Sequence, residues 1–204
     1  IAGRRLSVER NLEEEIERRQ ALLEACPMFE SLENKSGDWE IRDREHYLEL
    51  LLQINEHNRD LASREESPVS LRCPEGKELI ISHPEIQQRS LSLQVKKESS
   101  SWFSLNGDLK VSDELQLSIR DLLERERIGR FVLLENGEFI ALEEDFAKAL
   151  DDLKESAELD ESGVRFMTNS ATLIRNTLDQ LSDSEVKGDK AWGSIMRKLN
   201  QVHE

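Results

Sequence analysis

The chain has 204 residues, of which 37% are apolar and 35% are charged, so it can bury a core beneath a highly charged surface. Its 43 acidic residues outnumber its 28 basic ones and give a net charge of −15. That balance disfavours binding to phosphate backbones or anionic lipid and favours a basic protein partner. Cys26 and Cys73 lack the spacing of a zinc knuckle or a disulfide framework, and we expect two ordinary reduced thiols.

No apolar run approaches the roughly 18–20 residues of a membrane-spanning helix, and no signal peptide opens the chain. We therefore expect a cytoplasmic protein. The chain begins at Ile1, and its last residues, LNQVHE, continue a helical pattern. These features lead us to expect a piece of a longer protein or a processed product.

The first third of the chain predicts two helices. The first is predicted over 6–26, and Pro27 ends it because the residue before a proline leaves the helical region. Asp43 is a good N-cap for a second helix over 44–62, while ENKSGD at 33–38 has the composition of a loop. The apolar stripe of the first helix is Leu12, Ile16, Leu23 and Cys26. That of the second is Tyr47, Leu50, Leu51, Ile54 and Leu61.

The centre of the chain predicts strands, because apolar and polar residues alternate there after the polar break SREES. Strands are predicted over 69–73, 79–81 and 91–95. PEGK at 74–77 has the composition of a turn between the first two. Further hairpins are predicted around Asn-Gly at 106–107 and at 136–137, since Asn-Gly supplies the positive φ angles of a tight hairpin.

Helices return in the last part of the chain. Ser118 and Asp121 form a capping box for a short helix, and Gly129 fits its left-handed C-terminal cap. The acids at 143–145 suit the positive end of the next helix dipole. The buried stripe of that helix is Phe146, Ala149, Leu150, Leu153 and Ala157. Two final helices are predicted over about 170–182 and from Asp189, with Trp192 on the buried stripe of the last one.

This order of elements predicts an α+β fold with N-terminal helices, central antiparallel β-hairpins with a short helix, and C-terminal helices. We expect an N-terminal helical segment over 1–64, a β-rich accessory domain with a helix over 65–160, and a helical connector over 161–204. We predict no catalytic, cofactor-binding or metal-binding residue in the chain. Gly76-Lys77 lacks the rest of a phosphate loop, no two histidines lie four residues apart, and no GxSxG surrounds the serines at 99–101.

Trp102 and Phe103 allow two interpretations. An exposed aromatic pair with Lys96, Lys97 and Lys110 nearby is typical of a platform for single-stranded nucleic acid. Alternatively Trp102 belongs to the core, since large aromatic residues dominate cores and interfaces alike.

The acidic run over 143–161 also has two interpretations. It forms a solvated helix face, or it docks on a basic surface such as the DNA-binding face of a motor. In the second case the candidate docking residues are Asp151, Asp152, Glu155 and Glu158.

Several segments resemble the accessory region immediately before the motor of bacterial Swi/Snf-family helicase-like ATPases. They are CPMFESLE and DWEIRDREHYLELLLQI within 26–54, VSLRCPEGKELII, SLSLQVKKESSSWFSLNGDLKV, GRFVLLENGEFIALEEDFAKALDDL and GDKAWGSIMRKLNQVHE. The chain departs from that pattern at Ser101, where the family commonly has an acidic residue, and at Cys73, where it often has Trp.

The resemblance implies that the parent protein is an ATP-driven translocase of double-stranded DNA. ATP and Mg²⁺ would bind in motor lobes downstream of Glu204, and this chain would be non-catalytic and would pack on those lobes and modulate them. Two alternatives stay open. The chain is a nucleic-acid-contacting module that uses Trp102, or it is a stand-alone acidic protein-interaction domain or an unrecognised enzyme.

Overall fold

The computed structural model has an α+β fold, as predicted. It describes residues 11–35, 38–73, 76, 78–161, 163–181 and 186–202. The chain forms two compact units, Ile1–Glu78 and Leu79–Glu204. The division thus falls later than the predicted boundary at 64, and the predicted connector over 161–204 lies within the second unit.

The first unit consists mainly of helices. In chain order its elements are α1 (Leu12–Ala25), α2 (Met28–Ser31), β1 (Glu33–Lys35), β2 (Asp38–Glu40) and α3 (Arg44–Ser63). Asp43 caps α3 as predicted, since its carboxylate accepts the N–H groups of Glu45 and His46 at 2.6 and 3.4 Å. β1 and β2 pair in antiparallel fashion where a loop was predicted over 33–38, and residues 36–37 lie outside the described part.

The predicted apolar stripe of α1 is only partly buried. Leu12 and Ile16 are 61% and 67% exposed, and none of the residues of α1, all of which the structure describes, is buried. Cys26, which follows the helix, is fully buried in a cluster with Leu50 and Ile54 of α3. The helix therefore packs through its C-terminal end, and the predicted burial of Leu12 and Ile16 is wrong. Residues 6–10 of the predicted helix lie outside the described part of the chain.

The predicted strand over 69–73 is absent from this described segment. Val69 instead exchanges two hydrogen bonds with the side chain of Asn58 on α3. Its N–H donates to Oδ1 at 2.7 Å, and its C=O accepts from Nδ2 at 2.9 Å. The side-chain amide thus takes the place of a neighbouring strand in satisfying the backbone. Of the predicted turn at 74–77, only Gly76 is described, and its φ of +73° is that of a turn glycine.

The second unit contains two sheets and four helices in its described part. Its strands are β3 (Ile81–Ile86), β4 (Leu91–Lys97), β5 (Trp102–Lys110), β6 (Gln116–Ser118), β7 (Arg127–Ile128), β8 (Phe131–Leu133), β9 (Phe139–Leu142), β10 (Glu158–Asp160), β11 (Gly163–Met167) and β12 (Lys187–Gly188). Its helices are α4 (Ile119–Glu124), α5 (Glu144–Ser156), α6 (Ala171–Leu181) and α7 (Lys190–Val202).

β5 is the centre of the larger sheet, whose strand order is β10-β11-β5-β4-β12. β6 pairs with the C-terminal end of β5, on the same edge of β5 as β11, which pairs with its N-terminal end. In this sheet every pair is antiparallel except β4 with β12. The smaller sheet has the order β3-β9-β8-β7, with β3 parallel to β9.

The predicted hairpin at Asn106-Gly107 is wrong, because β5 runs through both residues without a break. Gly107 lies opposite Leu93 of β4, and a Cβ atom built on it would lie 2.5 Å from Cδ2 of Leu93 and 2.5 Å from the carbonyl oxygen of Ser92. The glycine therefore permits a close approach of two paired strands and does not form a turn.

The predicted hairpin at Asn136-Gly137 is confirmed, with β8 and β9 paired on either side of it. The N–H of Gly137 donates to the carbonyl of Leu134 at 3.0 Å, and the N–H of Leu134 donates to the carbonyl of Glu138 at 2.8 Å. Gly137 has a φ of +84°, as the left-handed position of a short hairpin loop requires.

The predicted capping box of α4 is also confirmed, with Ser118 and Asp121 bonding reciprocally. Gly129 is not the cap of that helix, which corrects the prediction. α4 ends at Glu124 with Arg125 as its C-cap, and Gly129, at a φ of +55°, lies in the turn between β7 and β8.

The predicted buried face of α5 is confirmed except at Ala157, which follows the helix and is only partly buried. Phe146, Ala149, Leu150 and Leu153 of α5 are buried, and α6 buries Ile174, Thr177, Leu178 and Leu181. Beneath the larger sheet, Phe103 of β5, Phe166 of β11 and Trp192 of α7 form an aromatic cluster with ring centroids 5.5–5.7 Å apart. All three centroid distances lie in the favourable range for aromatic pairs. The cluster therefore holds α7 against the sheet.

Candidate functional site

Trp102 and Phe103 point to opposite faces of β5, as successive residues of a strand do. Phe103 is fully buried in the aromatic cluster, whereas Trp102 is half-buried on the outer face of the sheet. An exposed Trp-Phe pair therefore does not form, which corrects that expectation. Trp102 is also not a core residue, so the structure places it between the two interpretations.

The indole of Trp102 lies against a cation that the sequence alone did not identify. The guanidinium carbon of Arg165 is 4.8 Å from the ring centroid, within the range of a cation–π contact. Arg165 also lies 2.9 Å from the carboxylate of Asp160 and 3.6 Å from that of Glu158. Met167, the cross-strand partner of Trp102, is 43% exposed beside it. This surface combines an aromatic ring, a thioether and mixed charges, so it is not a basic groove.

The three lysines proposed to accompany Trp102 do not converge on it. Lys96 and Lys97 end β4 close to Trp102, and both are exposed. Lys110 lies at the opposite end of β5, eight residues or about 26 Å away along the strand. Its ammonium group is 2.7 Å from the carboxylate of Asp113. Lys96 lies opposite Ser104 and shares the face of Trp102, whereas Lys97 lies opposite Phe103 and projects from the other face of the sheet. Only Lys96 is therefore placed to act together with Trp102.

A cavity of about 460 Å³ adjoins this surface. Its lining residues are Ser100, Ser101, Met167, Thr168 and Asn169. They offer hydroxyl and amide groups and one thioether, with neither an acid nor a base among them. The cavity can accept hydrogen-bonding groups of a ligand, but its lining does not supply the paired nucleophile and base of a hydrolytic site.

The four acidic candidates are distributed over two surfaces. Asp151, Asp152 and Glu155 are exposed on α5, whereas Glu158 lies on β10, on the outer face of the sheet beside Arg165. Asp151 forms an ion pair with Arg127. Within the described residues, Asp152 and Glu155 form no ion pair, so these two carboxylates are the ones open to a partner.

Arg127 anchors the acidic helix to the body of the unit. Its side chain is 10% exposed and donates to the carbonyl of Ala147 at 3.3 Å as well as to Asp151. Burial lowers the pKa of Arg127 from its ordinary value. The contact holds α5 in one orientation, so that Asp152 and Glu155 project from a fixed surface.

The first unit contains a hydrogen bond between Tyr47 and Cys73 that the sequence did not suggest. The hydroxyl of Tyr47 and the sulfur of Cys73 are 2.8 Å apart. Burial, followed by this hydrogen bond, raises the pKa of Tyr47 to about 12. Burial likewise raises the pKa of the Cys26 thiol, with a further contribution from Glu56. These shifts keep both groups protonated and give no activated nucleophile.

The described residues contain neither a metal-binding cluster nor a membrane-spanning helix. No group of three or more His, Cys, Asp or Glu side chains in this part of the chain is arranged to hold a metal ion. No helix in the same part is both long enough and apolar enough to span a bilayer.

No protein-family model, curated protein or solved structure matches this chain. The resemblance to the accessory region of Swi/Snf-family motors therefore stays a prediction, based on the residues that carry it.

Proposed function

We propose that this chain is a non-catalytic accessory region of an ATP-dependent DNA translocase of the Swi/Snf class, and that it docks on the motor and modulates it. The observation that carries the proposal is the outward face of α5, where Asp152 and Glu155 form no ion pair within the described part of the chain. The segments that resemble the accessory region also support it. In this proposal double-stranded DNA, ATP and Mg²⁺ are bound by the motor.

Charge complementarity favours a docking role for α5. A motor that grips DNA presents a basic surface, because the phosphate backbone supplies most of the binding energy. This chain has a net charge of −15, and α5 is held rigid by its buried stripe and by Arg127. A fixed acidic face therefore competes with DNA for the basic surface, and its attraction weakens as salt screens it.

Binding between this chain and the motor region of the parent protein tests the proposal. Affinity is measured by calorimetry at 50 and 300 mM NaCl. We expect weaker binding at the higher salt, and a loss of roughly tenfold or more at low salt in the double variant Asp152→Lys, Glu155→Lys. The matched control is Glu13→Lys, Glu17→Lys, which makes the same charge change on α1.

Two outcomes would contradict the proposal. One is the absence of binding at 50 mM NaCl. The other is an equal loss of affinity in the control variant, which would mean that net charge and not the face of α5 determines binding.

A second candidate function is contact with single-stranded nucleic acid through Trp102. The observation in its favour is the half-buried indole with the exposed Lys96 on the same face of the sheet. The ion pairs of Arg165 with Glu158 and Asp160 weigh against it, because they offset the positive charge at the ring. Fluorescence anisotropy with labelled single-stranded DNA at 20 mM salt tests this candidate. This candidate function requires that the chain binds the DNA and that Trp102→Ala weakens the binding. The absence of binding at 20 mM salt would contradict it.

A further inference from the structure

A separate cavity of about 440 Å³ lies in the second unit, away from the residues of the Trp102 surface and of the α5 face. It is bounded by β6, by the C-terminal end of α4 and by the turn that joins β8 to β9. Its lining residues are Leu115, Gln116, Leu117, Asp121, Arg125, Leu134, Glu135 and Asn136.

Leucine side chains form the apolar part of the lining. Leu117 and Leu134 are 3% and 7% exposed, and Leu115 packs partly buried against the same core. Fixed by that packing, they offer a surface on which the aliphatic stem of a long side chain can lie.

Two carboxylates and one guanidinium line the same cavity, and one of the carboxylates, Glu135, pairs with the guanidinium. Nη2 of Arg125 lies 2.9 Å from Oε1 of Glu135, whose side chain is 88% exposed. Asp121 uses Oδ2 to accept the N–H and the hydroxyl of Ser118 at 3.3 and 2.7 Å. Each carboxylate is thus engaged through one oxygen, and the lining carries a net charge of −1.

Arg125 is poorly placed to bind an anion. Its Nε atom is buried and has no hydrogen-bond partner in the described part of the chain, and its Nη2 atom is already held by Glu135. A bidentate clamp on a carboxylate or phosphate needs two accessible N–H groups on one edge of the guanidinium. The cavity therefore favours a cation over an anion.

We propose that this cavity binds a lysine or arginine side chain of a protein partner. The stem lies on the leucines and the charged head meets Glu135 and Asp121. The side-chain amides of Gln116 and Asn136 pair with the partner's main chain, which a free amine cannot provide. This site depends on the chemistry of its own lining and does not require the docking of α5 on a motor.

Amide chemical shifts of ¹⁵N-labelled protein test the site with four small probes. They are N-acetyl-lysine methylamide, the uncharged norleucine analogue, the anionic glutamate analogue and cadaverine. We expect the lysine probe to shift amides in 115–117 and 134–136 saturably. The norleucine and glutamate probes should leave them unchanged at the same concentration, and cadaverine should bind more weakly than the lysine probe.

Glu135→Gln should lower the affinity for the lysine probe roughly two- to fivefold, as expected when one exposed ion pair is lost. Glu138→Gln, an acid of the same hairpin outside the lining, is the matched control and should leave the affinity unchanged. The proposal is overturned if the glutamate probe produces the shifts, if no probe does, or if both variants weaken binding equally. Cadaverine binding as tight as that of the lysine probe would overturn the assignment to a protein side chain.

Discussion

At the scale of single residues, Gly107 shows how the absence of a side chain determines strand pairing. A methyl group at this position would meet both Leu93 and the backbone of Ser92 at 2.5 Å, so β4 and β5 would have to separate. We expect Gly107→Ala to lower the free energy of unfolding by about 1–3 kcal/mol, measured by urea denaturation. Gly193→Ala in α7 is the control. Apart from its chain neighbours and the backbone of its own helix, no atom of the described residues lies within 4 Å of its added Cβ, and a helical alanine should be neutral or stabilising.

The neighbours Trp102 and Phe103 provide a second test, because they lie on opposite faces of one strand. Phe103→Ala removes a fully buried ring that contacts Phe166 and Trp192, and should cost about 3–5 kcal/mol of stability. Trp102→Ala removes a half-buried ring and should cost less. Denaturation curves of the two variants check this order, and equal losses would contradict the assigned faces.

Asp189 connects the start of α7 to β4, and its contribution to stability should depend on pH. Its carboxylate accepts the N–H groups of Lys97, Ala191 and Trp192 at 2.7, 3.0 and 2.8 Å. The bond from Lys97, followed by that from Trp192, lowers the pKa of Asp189 below its ordinary value of 3.8. Because the folded-state pKa is lowered, this stabilisation is present above pH 3.8 and is lost as the pH falls through the lowered value.

We therefore expect Asp189→Ala to cost about 0.5–2 kcal/mol at neutral pH, the range for loss of a helix cap. The difference in the free energy of unfolding between this variant and the unmodified protein should shrink as the pH falls below about 4. Urea denaturation at several pH values measures it. A difference that stays constant down to pH 2 would show that the carboxylate is not the stabilising group.

At the scale of elements, signals within a few residues of one another were reliable in the sequence. The Asp43 cap, the Ser118–Asp121 box and the Asn136-Gly137 turn each form from groups at most a few residues apart, and the sequence contains all of that information. The Asn106-Gly107 prediction failed because the deciding neighbour is Leu93, on another strand.

Distant partners explain the other elements that the sequence missed. β3 runs through Pro84, which a strand tolerates at the edge of a sheet, and its partner β9 lies more than 50 residues away. β10 lies at the end of the acidic run over 143–161 and β11 follows that run; the two strands form a hairpin that joins the sheet because β11 pairs with β5. Glu158 thereby leaves the helical acidic run and meets Arg165, a contact that only the strand register reveals.

The segment around Val69 gives an element-scale prediction. Asn58→Ala removes both hydrogen bonds that hold the Val69 backbone and should cost about 1–2 kcal/mol. The exchange rate of the Val69 amide hydrogen should rise at the same time. Asn55→Ala on the same helix is the control. Unchanged exchange at Val69 in the Asn58 variant would contradict the assigned contact.

At the scale of the whole molecule, the surfaces argued to bind partners all belong to the unit Leu79–Glu204. The sequence identified the acidic character of the whole chain, because net charge is a property of composition. It did not identify which acids are already paired. Asp151 pairs with Arg127, 24 residues away along the chain, and Glu158 pairs with Arg165 across the β10–β11 hairpin. Of the four candidates, Asp152 and Glu155 are left without an ion pair in the described residues.

The most direct test of the central claim is the DNA-stimulated ATPase rate of the parent protein's motor region, recorded at subsaturating DNA while this chain is titrated in. We predict a saturable change in the ATPase rate. The double variant Asp152→Lys, Glu155→Lys should abolish this change, and the double variant Glu13→Lys, Glu17→Lys should preserve it. A rate that stays constant at concentrations where this chain is fully bound, or an equal response to all three proteins, would contradict a modulating role for the acidic face of α5.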